Sequence, residues 1–173
     1  MNTTTTITGT EPRSHRRLRP LSPRGQRLLR ELLRANLDAA AACWQGLRYA
    51  QDPEDAALVG AWASARWRAA RELAWMLEAH GLEAPARGTL RAALERLRFR
   101  LWAPALRGDP VLVLLAIDEQ VQRADDALRA LRPEARDELA ARLGRLAATL
   151  EREREQLAAR LGRVLDGEPA AVG

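Results

Sequence analysis

Proline-marked caps divide this sequence into four stretches in which apolar residues return every third or fourth position, a pattern that admits little besides packed helices. Ser22-Pro23 opens the first stretch. The serine can accept from a free helix N–H, and the proline takes the first helical position, where its missing N–H has no partner anyway. Leu29, Leu33, Leu37, Ala40, Trp44 and Leu47 then follow at helical steps. Asp52-Pro53-Glu54-Asp55 ends that stretch and opens the second, with acids at the positive end of the new helix dipole. Leu58, Trp62, Ala65, Ala69, Leu73 and Met76 mark the second stripe, and Gly81 after His80 is a natural stop. Asp109-Pro110 repeats the device before Leu114, Ile117, Val121, Ala124, Leu128 and Leu131. Arg132-Pro133 breaks the chain once more, ahead of Leu139, Leu143, Leu146, Leu150, Leu157 and Val164.

No segment alternates as a strand does, so an all-α fold is expected. Gly88-Thr89 opens a shorter helix, "LRAALERLRFRLWA", which Pro104 ends. The chain thus has two tight turns and one long connection, between the second and third long helices. Tight turns join antiparallel neighbours, while the long connection has to run the length of the bundle. A single crossover is the wiring of ferritin-like bundles. The expected architecture is therefore a ferritin-like four-helix bundle whose crossover holds a short fifth helix. A chain of 173 residues, 47% of them apolar, suffices for one such core.

Charge divides the molecule differently. All 28 basic residues are arginine. Five of them, Arg13, Arg16, Arg17, Arg19 and Arg24, crowd the first 24 residues against Glu11 alone. The remainder is nearly balanced. Residues 1–22 carry few apolar side chains and are expected to form a disordered basic tail, followed by the bundle over 23–165 and a flexible C-terminal tail over 166–173. No apolar stretch follows Arg16-Arg17, which argues against export, and none approaches the length of a membrane span. With Cys43 as the lone cysteine, a cytoplasmic protein without disulfides is expected. The arginine cluster could touch nucleic acid or another anionic surface weakly, through counterion release; the plainer reading is a solubilising leader.

The order and spacing of "LLRANLDAAAACWQGLRYAQDPE", "ARELAWMLEAHGLE", "GTLRAALERL", "LRGDP", "AIDEQVQRADDAL" and "RPEARDEL" resemble a bacterial family of ferritin-like four-helix-bundle proteins of unknown function, over residues 28–157. This chain would be a divergent member. Ferritin-like metal centres take a glutamate from each of two helices and a Glu-x-x-His pair from each of the others. Carried over by position, the resemblance places the family's first-helix glutamate on Arg34 and its second-helix glutamate on Glu72, which is retained. The third falls on Ile117, followed by Asp118, and the histidine falls on Leu150, followed by Glu151. The crossover histidine falls on Glu95. Asp38 keeps its identity, and the aromatic after it becomes Cys43.

These departures speak against metal. Ile117 and Leu150 lie on apolar stripes, Arg34 would set a fixed positive charge beside a divalent cation, and the only histidines are His15 and His80. No metal and no cofactor is therefore expected, and the centre reads as degenerate. Glu72 falls at heptad spacing from Leu58 and Ala65, near the buried stripe, where an unpaired carboxylate is costly. The first hairpin brings it level with Arg34, so either an Arg34–Glu72 ion pair replaces the metal bridge or both side chains reach solvent at the flank. Glu153 interrupts the last stripe and reads as a wet end or contact point.

Elsewhere the chemistry is sparse. Asp118, Glu119, Asp125 and Asp126 fall off the third stripe and read as a solvated face. Trp44 and Trp62 read as core. Trp67 and Trp75 lie on another face of the second helix, covered by the crossover helix with Phe99 and Trp102 or by a second copy in a homodimer. Cys43 has no histidine beside it to activate it and reads as packing. Nucleotide-binding loops, nucleophile elbows and basic recognition helices are missing from the sequence. The expected function is that of a non-enzymatic structural or interaction module. The alternatives are a di-iron or di-manganese protein, such as a ferritin-like oxidase, and an anion binder working through the tail.

Overall fold

The computed structural model describes residues 20–50, 52–90, 92–94 and 110–166. Within them the chain forms α1 (Pro23–Gly46), α2 (Pro53–Ala79), α3 (Pro110–Leu131) and α4 (Asp137–Leu165), with a 3-10 turn at Arg132–Glu134 and no strand. The caps form as their residues require. Ser22 Oγ accepts from Gly25 N at 3.0 Å, and Asp52 Oδ1 accepts from Glu54 N at 2.8 Å. Gly81 takes φ 72°, and this left-handed residue lets Leu82 N–H reach Leu77 O and Gly81 N–H reach Glu78 O, closing α2. The expected Asp109 cap, most of the crossover helix and Arg13 to Arg19 lie outside the described residues. Arg24, grouped with the tail by sequence, is instead the second residue of α1, where it lies 3.7 Å from Glu134.

Contacts between helices fix their directions. Asn36 on α1 reaches Arg66 on α2, so the pair joined by the first turn runs antiparallel. Ser22, at the start of α1, donates to Glu134, just beyond α3, which makes α1 and α3 antiparallel too. Along α2 and α4, Asp55 meets Arg160, Trp62 meets Gln156, Arg66 meets Glu153 and Glu72 meets Arg142. That descending register is an antiparallel pair. Because α2 and α3 both oppose α1, they run the same way, so the end of α2 and the start of α3 lie at opposite ends of α1. No described helix is long and apolar enough to cross a membrane.

Two apolar cores form inside this frame. One joins Leu28, Leu29, Leu32 and Leu33 to Leu73, Met76, Leu77, Leu128, Leu131, Leu139, Leu143, Leu146 and Leu150. The other joins Cys43, Val59, Trp62, Ala63, Leu114, Ile117, Val121 and Leu157. The third stripe is buried as expected, and Ile117 and Leu150 are each 1% exposed. The first stripe is not followed throughout: Trp44 is 51% exposed, and beside the expected Ala40 the buried face runs through Asn36, Ala39 and Cys43. Trp44 therefore does not belong to the core. Successive residues advance 100° around a helix, so a stripe chosen by hydrophobicity alone drifts off the true inward face when polar residues occupy it.

Candidate functional site

A polar layer separates the two cores. On α1, Asn36 lies between Leu33 and Cys43; on α2, Arg66 lies between Ala63 and Ala69; on α4, Glu153 lies between Leu150 and Leu157. Asn36 and Arg66 are 0% exposed and Glu153 is 7% exposed. Arg66 Nε sits 2.9 Å from Glu153 Oε2, while Arg66 Nη1 donates to Asn36 Oδ1 at 3.5 Å. Asn36 Nδ2 in turn donates to Leu32 O at 2.9 Å, so its carbonyl oxygen is left facing the guanidinium. The half-buried Asp125 brings a carboxyl from α3 close enough to feel Arg66. Every long helix thus contributes one side chain to the layer or its edge.

The layer is electrostatically costly and incompletely bonded. Burial pushes the Glu153 carboxyl above its ordinary value, even though Arg66 pulls the other way, and burial raises Asp125 in the same direction. Arg66 Nε and Nη2, with both Glu153 oxygens, lack well-aligned hydrogen bonds, so the charges meet without satisfying all their donors and acceptors. Cys43 borders the layer, fully buried, and desolvation pushes its thiol up to about 12. A thiol in that state is protonated at neutral pH and a poor nucleophile. The described residues contain no cluster of three or more His, Cys, Asp and Glu side chains that could hold a metal ion.

A second polar assembly closes the end of the molecule near the first turn. The buried Arg160 points Nε at Asp55 Oδ1, 2.5 Å away, and Nη2 at Asp52 Oδ2, 3.1 Å away. It ties the last turns of α4 to the cap of α2. A third fixes the start of the crossover. Asp38, nearly buried on α1, accepts from Thr89 N at 3.0 Å and from Thr89 Oγ1 at 2.8 Å. The backbone at Gly88 lies so close that a Cβ there would collide with the Asp38 carboxylate.

The residues singled out by sequence fall in other places. The Arg34–Glu72 pair does not form. Arg34 is exposed on α1, whereas Glu72 turns to the α4 side of α2 and lies 3.7 Å from Arg142. The expected level was nearly right, since Asn36 does face Arg66; of the two alternatives, Arg34 takes the solvent-facing one, and Glu72 is part exposed while leaning to α4. Glu153 is no wet end; it is the buried partner of Arg66. Trp67 and Trp75 remain about half exposed, and the Arg142 guanidinium stacks 4.3 Å from the Trp75 ring. Of the third helix's acids, Asp118 and Asp125 are only partly exposed, while Glu119 and Asp126 face solvent.

A signal for the missed layer was present. Asn36 stands seven residues from both Leu29 and Cys43, Arg66 from both Val59 and Leu73, and Glu153 from Leu146. Seven residues are nearly two full turns, so each polar side chain had to share the face of a buried neighbour. Compared with protein-family models, with curated proteins and with solved structures, the chain matches none.

Proposed function

We propose that the chain is a non-enzymatic helical module of ferritin-like wiring, in which the Arg66 guanidinium stands where such a bundle would hold a metal ion. The observation that carries this reading is the Arg66–Glu153 pair, enclosed between two apolar cores at mid-height. The antiparallel pairs and the single long connection support the wiring. A hard divalent cation needs several oxygen ligands, and a fixed positive charge at the same level repels it. Ile117 and Leu150, on which the family resemblance would place ligands, are packed in hydrocarbon. The protonated thiol of Cys43 offers no alternative nucleophile.

The role left to such a module is to present its surfaces. The half-exposed Trp67 and Trp75 suit a contact with a partner or a second copy, which sedimentation at increasing concentration would reveal. The metal question is decided by elemental analysis of protein loaded with iron or manganese and then desalted. The proposal expects far less than one ion per chain; a stoichiometric ion lost on substituting Glu153 would refute it. The arginines ahead of α1 favour a second reading, contact with a polyanion. Binding to long duplex DNA that weakens steeply with salt and disappears when residues 1–19 are deleted would support it, and no mobility shift at low salt would end it.

A further inference from the structure

We propose that the cleft between α1 and the loop that opens the crossover binds a small organic anion, with a carboxylate or phosphate head and a compact apolar body. This inference is independent of the reading above. The cleft is open to solvent and has a volume of about 580 Å³, room for a small anion lying against the surface. Arg34 reaches it from α1 and Arg87 from the loop, while Pro85, Ala86 and Leu90 supply apolar surface. No acidic residue lines it among the described residues. Neither guanidinium has an ion-pair partner among the described residues, unlike Arg24, Arg66, Arg142 and Arg160.

Two like charges beside one cleft repel each other until an anion arrives, and guanidinium forks match carboxylate and phosphate oxygens. The wall is also built in advance. Asp38, one helical turn after Arg34, holds Thr89 by backbone and hydroxyl, and Gly88 lets the loop lie flat on α1. Arg87 is therefore delivered next to α1 by a loop that has little left to order on binding. The Asp38 carboxylate beneath the loop is already engaged by these donors and does not line the cleft.

The test is a titration of the full chain at low salt with phenyl phosphate, benzoate and inorganic phosphate, followed by calorimetry and by backbone amide shifts. Saturable one-to-one binding of phenyl phosphate or benzoate is expected, tighter than inorganic phosphate, with shifts centred on residues 34 and 86–90. Losing one charged hydrogen bond should weaken binding roughly five- to tenfold in Arg34→Gln and in Arg87→Gln, and the double variant should not bind. Arg68→Gln, exposed on α2, should bind as the parent does. Because Arg34 and Arg87 are exposed and have no ion-pair partner among the described residues, both variants should unfold at the parent's midpoint. Failure of both organic anions to saturate, affinity retained in the double variant, or inorganic phosphate binding as tightly as phenyl phosphate would overturn the proposal.

Discussion

Removing Glu153 alone should damage the fold far more than removing Glu153 and Arg66 together. Arg66 has no exposed surface, so in Glu153→Ala its charge stays inside with the amide oxygen of Asn36 beside it and only the half-buried Asp125 carboxyl to oppose it. Breaking a buried pair from one side typically costs about 3–5 kcal/mol. For a chain of this size that lowers the melting midpoint by roughly 6–20 °C. The pair as a whole is a different matter. Burial already opposes ionisation of Glu153, and several donors and acceptors in the layer are poorly bonded, so the two ions give up much of their attraction to desolvation. Replacing both with hydrocarbon, as Arg66→Met with Glu153→Leu, should be neutral or stabilising by about 1–4 kcal/mol. Urea unfolding followed by far-UV circular dichroism of the parent, Arg66→Met, Glu153→Leu and the double variant gives the four corners of the cycle. If Glu153→Ala costs under about 1 kcal/mol, or if the two single costs simply add in the double variant, the two side chains do not act as a buried pair.

Four further outcomes rest on the same contacts. In the folded chain Glu153 holds its proton to higher pH than a free glutamate does, so its contribution to stability should fall as pH rises from about the ordinary 4.5 through the raised value. The stability difference between the parent and Glu153→Gln should shift in that direction across the window, and a shift of the opposite sign would contradict the assignment. Cys43, with its thiol near 12, should be unreactive toward a disulfide reagent at pH 8 in native protein and react promptly in denaturant. Gly88→Ala and Asp38→Ala should each cost about 1–3 kcal/mol in urea unfolding, and their double variant little more than one of them, since both act through the same cap on Thr89. Arg160→Ala strands Asp55 in a buried site and should destabilise by about 3 kcal/mol in the same assay, whereas Arg163→Ala, exposed at the rim and 3.8 Å from Glu54, should change it by under about 1 kcal/mol.

The sequence's punctuation transferred well to the structure because it rests on local chemistry. A serine or aspartate ahead of proline caps a helix whatever lies around it, and Ser22, Asp52 and Gly81 act as their types require. The long stripes of α3 and α4 transferred for a related reason: their leucines leave few choices of inward face. Reading failed where the interior is polar. Arg66 and Glu153 look like surface residues by type, and only their heptad spacing from Val59, Leu73 and Leu146 gives them away. Trp44 failed in the opposite sense, because a large apolar side chain was placed inside when the inward position beside it was already taken by Cys43. Of the two readings left open for Arg34 and Glu72, the ion pair is excluded by rotation: level along a hairpin is fixed by the turn, but facing is fixed by the whole helix, and Glu72 faces α4. The link from Asp38 to Thr89 depends on a contact 51 residues apart, which spacing along one helix cannot reveal.

The view that an internal guanidinium makes this bundle independent of metal is tested most directly by its melting midpoint. The measurement compares chelator-treated protein with the same sample in about 1 mM manganese(II), a concentration well above the dissociation constant of a preformed carboxylate centre, where binding to the folded state alone would raise the midpoint by several degrees. Superimposable transitions are expected for the parent chain. A clear upward shift with manganese in the parent, absent in Glu153→Gln, would mean that the middle of the bundle takes a cation after all.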